Sequence, residues 1–139
     1  MRICAIISEY NPFHNGHFYQ ISKTRQETES THAIAIMGGN FLQRGDIASF
    51  PKHIRAKAAL LGGIDLVLEL SAPFAMSSAE YFASGAVRLA NALGCVDILS
   101  FGSECGAISA LEKISHLLSE SVFQEAVDRY LKNGISFPS

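Results

Sequence analysis

Short unbroken apolar runs alternate along this chain with segments whose apolar residues recur every three or four positions. The runs are residues 2–8 (RICAIIS), 32–37 (HAIAIM), 65–70 (DLVLEL) and 95–102 (CVDILSFG), the pattern of strands buried on both faces. Residues 17–28 (HFYQISKTRQET) set Phe18, Tyr19 and Ile21 against a polar remainder and predict an amphipathic helix. A second helix is expected after Pro51, a residue suited to the first helical position, and should stop at Gly62-Gly63. A third, over 79–93, carries Phe82, Ala86, Leu89 and Leu93 on one face, with Ser77 or Ser78 as cap and Gly94 as its end. Helical patterns also cover about 108–118 and 121–132, and residues 38–50 and 71–78 read as loops.

Strands alternating with helices of ten to fifteen residues build βαβ units and a parallel sheet. Right-handed crossovers then put helices on both faces. The expected class is α/β, a Rossmann-like doubly wound parallel sheet. The 139 residues suffice for one domain with its own core. The last segment, NGISFPS (133–139), opens a new extended run and stops, so the single domain over 1–139 is expected to be truncated at its C-terminus.

Composition narrows the class. The chain is 48% hydrophobic and 17% charged, which suits a packed globule. Its apolar stretches fall short of the roughly 18–20 residues needed to cross a bilayer, and no secretory pattern opens it, so a cytoplasmic location without membrane contact is expected. Cys4, Cys95 and Cys105 show no paired spacing and read as reduced thiols, with Cys4 and Cys95 in the core. A formal charge of −2 argues against a broad nucleic-acid surface and leaves room for a local one.

The chemistry gathers in the first strand-to-helix turn, SEYNPFHNGH (8–17). In open parallel sheets ligands bind beyond the carboxyl ends of the strands. A helix starting near Gly16 or His17 offers free N–H groups and a positive dipole end to a phosphate. His14 and His17, three apart, share a face there, and their imidazoles can donate to phosphate oxygens and add charge when protonated. Gly16 allows a close approach to the backbone, and Pro12 biases Asn11 away from helix. Neither GxxxxGK[ST] nor GxGxxG occurs. Phosphate or nucleotide binding is the leading reading, a structural turn the second. A metal site is the third, since Glu9 alone stands close enough to join the histidines.

The HNGH stretch resembles the HxGH signature of the nucleotidyltransferase superfamily. IISEYNPFHNGH, MGGNFLQRGD, RAKAALLGGIDLVLELSAPFAMSSAEYFASGAVRLANALG and FGSE together resemble the N-terminal part of the bacterial tRNA(Met) cytidine acetate ligases, across essentially all 139 residues. The resemblance implies ATP-dependent activation of acetate as acetyl-adenylate, then acetylation of the wobble cytidine of elongator tRNA(Met). It implies that His14 and His17 stabilise charge on the α-phosphate. ATP would be held by Ile7, Ser8, Glu9, Tyr10, Asn11, Pro12, Phe13, His14, Asn15, Gly16, His17, Phe18, Tyr19 and Gln20, with Gly102. Mg2+ is expected with ATP. Asn40, Gln43 and Arg44, after the second strand, are candidate substrate residues, with Arg44 pairing Asp46 in a plain surface loop as the competing reading. Ser103 and Glu104 follow Gly102 and are candidates to line the site. Asp65 and Glu69 read as structural. The superfamily's second signature, an ISSTxxR-like stretch, does not occur within the 139 residues. The tRNA is expected to bind through regions beyond Ser139. Two alternatives stay open: a nucleotidyltransferase acting on a small phosphorylated substrate, and a non-catalytic nucleotide-binding module.

Overall fold

A computed structural model describes residues 1–103 and 106–132. Glu104, Cys105 and the expected extended run at 133–139 lie outside the described residues. The chain forms two compact units, Met1–Phe101 and Gly102–Ser139.

The first unit holds β1 (Ile3–Ile7), α1 (Asn15–Thr28), β2 (His32–Gly38), a 3-10 turn (Gln43–Gly45), α2 (Lys52–Leu61), β3 (Leu66–Leu70), α3 (Ala72–Ala75), α4 (Ala79–Ala92) and β4 (Ile98–Ser100). The four strands are parallel, in the order β3-β2-β1-β4. Strand order therefore reverses between β1 and β4. The unbroken apolar runs are explained by burial on both sides. Cys4, Ile6, Ala33, Ala35 and Met37 face Ile21 of α1 and Ala59 of α2. Ala5 and Ile36 face Ala75 of α3 with Phe82, Ala86 and Ala90 of α4. The doubly wound parallel sheet expected from the alternation is the one that folds.

Several local expectations change. Phe18 and Tyr19 are exposed; of the expected apolar face α1 buries Ile21, and it buries Thr24 besides. Thr24 is accommodated because its hydroxyl bonds Ser100 Oγ at 2.6 Å. Pro51 is the N-cap of α2, one position earlier than expected. The supposed loop at 71–78 contains the single turn α3, and Ser78 caps α4 by position without a side-chain bond. β4 is confined to three residues, and Cys95, before it, is exposed, unlike buried Cys4. Asp65 is structural: its Oδ2 accepts from the Ala33 amide at 2.7 Å and pairs with Arg25 at 2.5 Å. This clasp sits at the amino end of β3. The second unit contains α5 (Ile108–Ser119) and α6 (Ser121–Lys132), joined by a one-residue turn at Glu120.

Candidate nucleotide site

α1 begins with two histidines that cap it. His14 is the N-cap, with extended backbone (φ −143°, ψ 176°). Its Nδ1 accepts from the Gly16 amide at 3.1 Å, and the His14 amide donates to Nδ1 of His17 at 3.2 Å. The arrangement is a capping box with imidazoles in place of the usual hydroxyl and carboxylate. The rings stack, with centroids 3.8 Å apart and planes 28° from parallel. A nitrogen that accepts an N–H carries no proton, so the cap selects the Nε2–H tautomer in both rings. Burial, and secondarily the neighbouring His14, lowers the pKa of His17 below its ordinary value. Two Nε2–H donors thus stand at the start of α1, the donor role that the sequence suggested for these imidazoles.

Gly16 leaves room for this cap. A Cβ there would lie 2.9 Å from His14 Cε1, too close for the ring to fold back over the turn. What approaches the glycine is the chain's own imidazole. Below the histidines, Tyr10 is buried with positive φ (46°), its ring edge-on to His17 at 4.9 Å and tilted against Phe13 at 5.1 Å. Burial, with Cys4 as a lesser cause, pushes the Tyr10 phenol pKa up. Pro12 follows Asn11 through a cis peptide bond.

The turn is tied to its surroundings by groups whose role the sequence does not announce. Asn11 Oδ1 accepts from the Ser49 amide at 2.7 Å, and Glu9 Oε1 accepts from the Gln43 amide at 2.9 Å. Arg55, 1% exposed, sends its guanidinium from α2 under the loops. It donates to the carbonyls of Glu9 (2.6 Å), Phe50 (3.0 Å) and Gly38 (3.2 Å), and also to that of Gly39. Sequence reasoning missed Arg55. The available signal was an arginine one helical turn before Ala59, on the face that α2 buries.

A cleft of about 440 Å³ opens over the carboxyl end of β1. Among the expected ATP residues it is lined by Ile7, Ser8, Glu9, Tyr10, Asn11, Pro12, His14 and His17, joined by Gln43 and by Phe82 of α4. Its size suits a nucleotide-sized ligand. Phe13 packs beneath His17 and does not line it, while Asn15, Gly16, Phe18, Tyr19 and Gln20 continue into α1 outside the lining. Asn40 turns to α2, its Oδ1 accepting from the Lys52 amide at 3.0 Å, and lines a different cavity. Arg44 is exposed at positive φ (62°), its amide donating to Ser77 O at 3.4 Å, and makes no ion pair with Asp46 among the described residues. Gly102 and Ser103 belong to the second unit, and Glu104 lies outside the described residues.

A family model described as HIGH Nucleotidyl Transferase matches residues 1–139. The tRNA(Met) cytidine acetate ligase of Alkaliphilus metalliredigens is 47% identical over 140 residues, covering 99% of this chain and 33% of that protein. The enzyme of the same name from Caldicellulosiruptor bescii is 49% identical, covering 99% and 35%. The crystal structure of Thermotoga maritima TmcAL bound with alpha-thio ATP superposes with a TM-score of 0.91 at 41% identity, covering 99% of this chain and 34% of that one. The chain thus spans about a third of the length of the relatives it matches.

Proposed function

Because the chain belongs to the HIGH nucleotidyl transferase family, we propose that it is the ATP-binding part of an acetate-activating ligase acting on tRNA(Met). The observation that carries this reading is the histidine cap. Its two Nε2–H donors flank a helix start at the carboxyl end of β1, beside the point where strand order reverses.

In this reading residues 7–20 hold ATP, and the α-phosphate lies over the first turn of α1. A carboxylate oxygen of acetate attacks the α-phosphorus, and the bond to pyrophosphate breaks. Charge building on the phosphoryl oxygens is met by His14 and His17, which are already oriented and need no reorganisation. The wobble cytidine N4 then attacks the acetyl carbon, AMP leaves with the bonding electrons, and the amine gives up a proton. Gln43, which lines the cleft, and Arg44 and Asn40, on the same loop, are the proposed substrate contacts. Mg2+ would ride on the triphosphate, since no cluster of three potential ligands gathers among the described residues. No described helix is long and apolar enough to cross a membrane, and a cytoplasmic location is the one proposed. The relatives' names carry tRNA(Met) and cytidine, and the Thermotoga maritima complex carries an ATP analogue.

The test is calorimetric titration with Mg-ATP. Replacing His14 or His17 with alanine should weaken binding by about 1–3 kcal/mol each, the scale of a lost hydrogen bond to a charged group. Binding indifferent to both changes would refute the site.

A further inference from the structure

A second cavity of about 230 Å³ opens on the same sheet edge, over the ends of β2 and β3. Gly39, Asn40, Phe41, Lys52 and Glu69 form its walls, and Leu70, Ala72 and Ala75 its apolar part. Lys52 Nζ and Glu69 Oε2 are paired at 2.7 Å. The Glu69 carboxylate lies against Gly39, where a Cβ would push its Oε1 aside. Asn40 spends its Oδ1 on the Lys52 amide, which leaves its NH2 hydrogens to offer. Phe41 is 46% exposed. Arg55 links the loops that carry the two cavities, donating to the carbonyls of Gly38 and Gly39 on one side and to that of Glu9 on the other.

Resting on the function proposed above, we infer that this cavity reads the cytosine base of the RNA substrate. The charges decide the class of ligand. Lys52 is neutralised by Glu69, and a small anion such as acetate would meet the carboxylate as well as the ammonium. The pair instead presents an acceptor and a donor side by side. Cytosine matches that pattern: its N4 amine donates to Glu69, and its N3 and O2 accept from Lys52 and Asn40. One N4 hydrogen suffices for Glu69, so the contact leaves the amine a face for reaction. Uracil would turn O4 toward the carboxylate and N3–H toward the ammonium, two mismatches. A flipped base needs a π surface and an apolar slot as well, and Phe41 with Leu70, Ala72 and Ala75 supplies them.

The test is an amide NMR titration of the chain with cytidine, then uridine, then sodium acetate. Cytidine should shift Gly39, Asn40, Phe41, Lys52 and Glu69 and bind about tenfold or more tightly than uridine. Glu69→Leu should abolish that preference and Lys52→Met should reduce it, with the remaining spectrum unchanged as evidence of folding. Equal shifts from the two nucleosides would overturn the inference. So would cytidine shifts confined to the Ser8–His17 cleft, acetate shifting the same five amides in the unsubstituted chain, or no response to cytidine at all. Mg-ATP added to the same samples tests the histidine cleft separately. An ATP response at residues 8–17 without cytidine discrimination would sink this inference alone.

Discussion

A ring nitrogen that accepts a backbone N–H cannot also hold a proton, and this ties the start of α1 to the protonation state of His14 and His17. His14→Asn separates the two roles. Asparagine is among the best N-caps, so the melting temperature should hold or rise, while Mg-ATP affinity should fall by about 1–3 kcal/mol because its shorter side chain carries no donor as far from the backbone as Nε2–H. Thermal melts and calorimetry on the same preparation decide it; a parallel loss of both would mean that the imidazole only caps. Gly16→Ala should weaken ATP binding although alanine is the better helix former by about 1 kcal/mol, because its Cβ displaces the His14 ring. Acid should act through His17. Its folded pKa lies below the ordinary 6.5, so the unfolded chain takes the proton first as pH falls. Its contribution is whole above about pH 6.5 and shrinks as the pH drops toward the folded value. Urea unfolding from pH 7 to 5 should therefore lose less stability in His17→Asn, whose amide oxygen stands in for Nδ1. Equal losses would assign the acid sensitivity elsewhere.

Loops after strands have few bonds of their own, and here α2 supplies them. One guanidinium satisfies the carbonyls of Glu9, Gly38, Gly39 and Phe50, drawing the ends of β1 and β2 and the entry to α2 into one arrangement. Lysine carries the same charge without the fork. Arg55→Lys should cost on the order of 3 kcal/mol in urea unfolding, since buried carbonyls are left without donors, and should weaken Mg-ATP binding besides. An Arg55→Lys chain with unchanged ATP affinity would show that the loops hold their shape without it. The arginine was legible as an oddity on the buried face of α2, but its partners were not. They lie from 5 to 46 positions away, and a helical period records which side of a helix is buried, never what lies under it.

In the proposed reading the sheet separates stability from function along its length. At its amino end Asp65 joins three elements, accepting from Ala33 of β2 and pairing with Arg25 of α1 just before β3 begins. Burial works against its charge, yet the Ala33 amide and Arg25 hold its carboxyl pKa below the ordinary value. The stability this lends is present above the unfolded pKa of about 4 and is lost as the pH falls below it. Asp65→Asn should lower the melting temperature at pH 7, by a margin that narrows as the pH falls below about 4, and leave Mg-ATP binding untouched. Weaker ATP binding in that variant would mean that the two ends are coupled. At the carboxyl end stand both cavities, over β1 and over the ends of β2 and β3.

The run of apolar strands, the helices between them and the HNGH turn follow from neighbours a few residues apart, since strand and helix periods and turn chemistry are local properties. The α/β class was open to reading for that reason, as was a helix beginning at the HNGH turn. Strand order was not: nothing in residues 95–102 says that β4 pairs with β1 on the side away from β2, and that pairing creates the reversal beside the cleft. Nor could the periods show that Thr24, polar, would be buried while Phe18 and Tyr19 faced out, because the partner that satisfies Thr24 is Ser100, 76 positions on. The space left for Glu69 at Gly39 was equally hidden, two residues 30 apart that meet only when β2 and β3 pair. Contacts at such separation depend on how the chain closes, and that is decided by packing the two faces of the sheet at once.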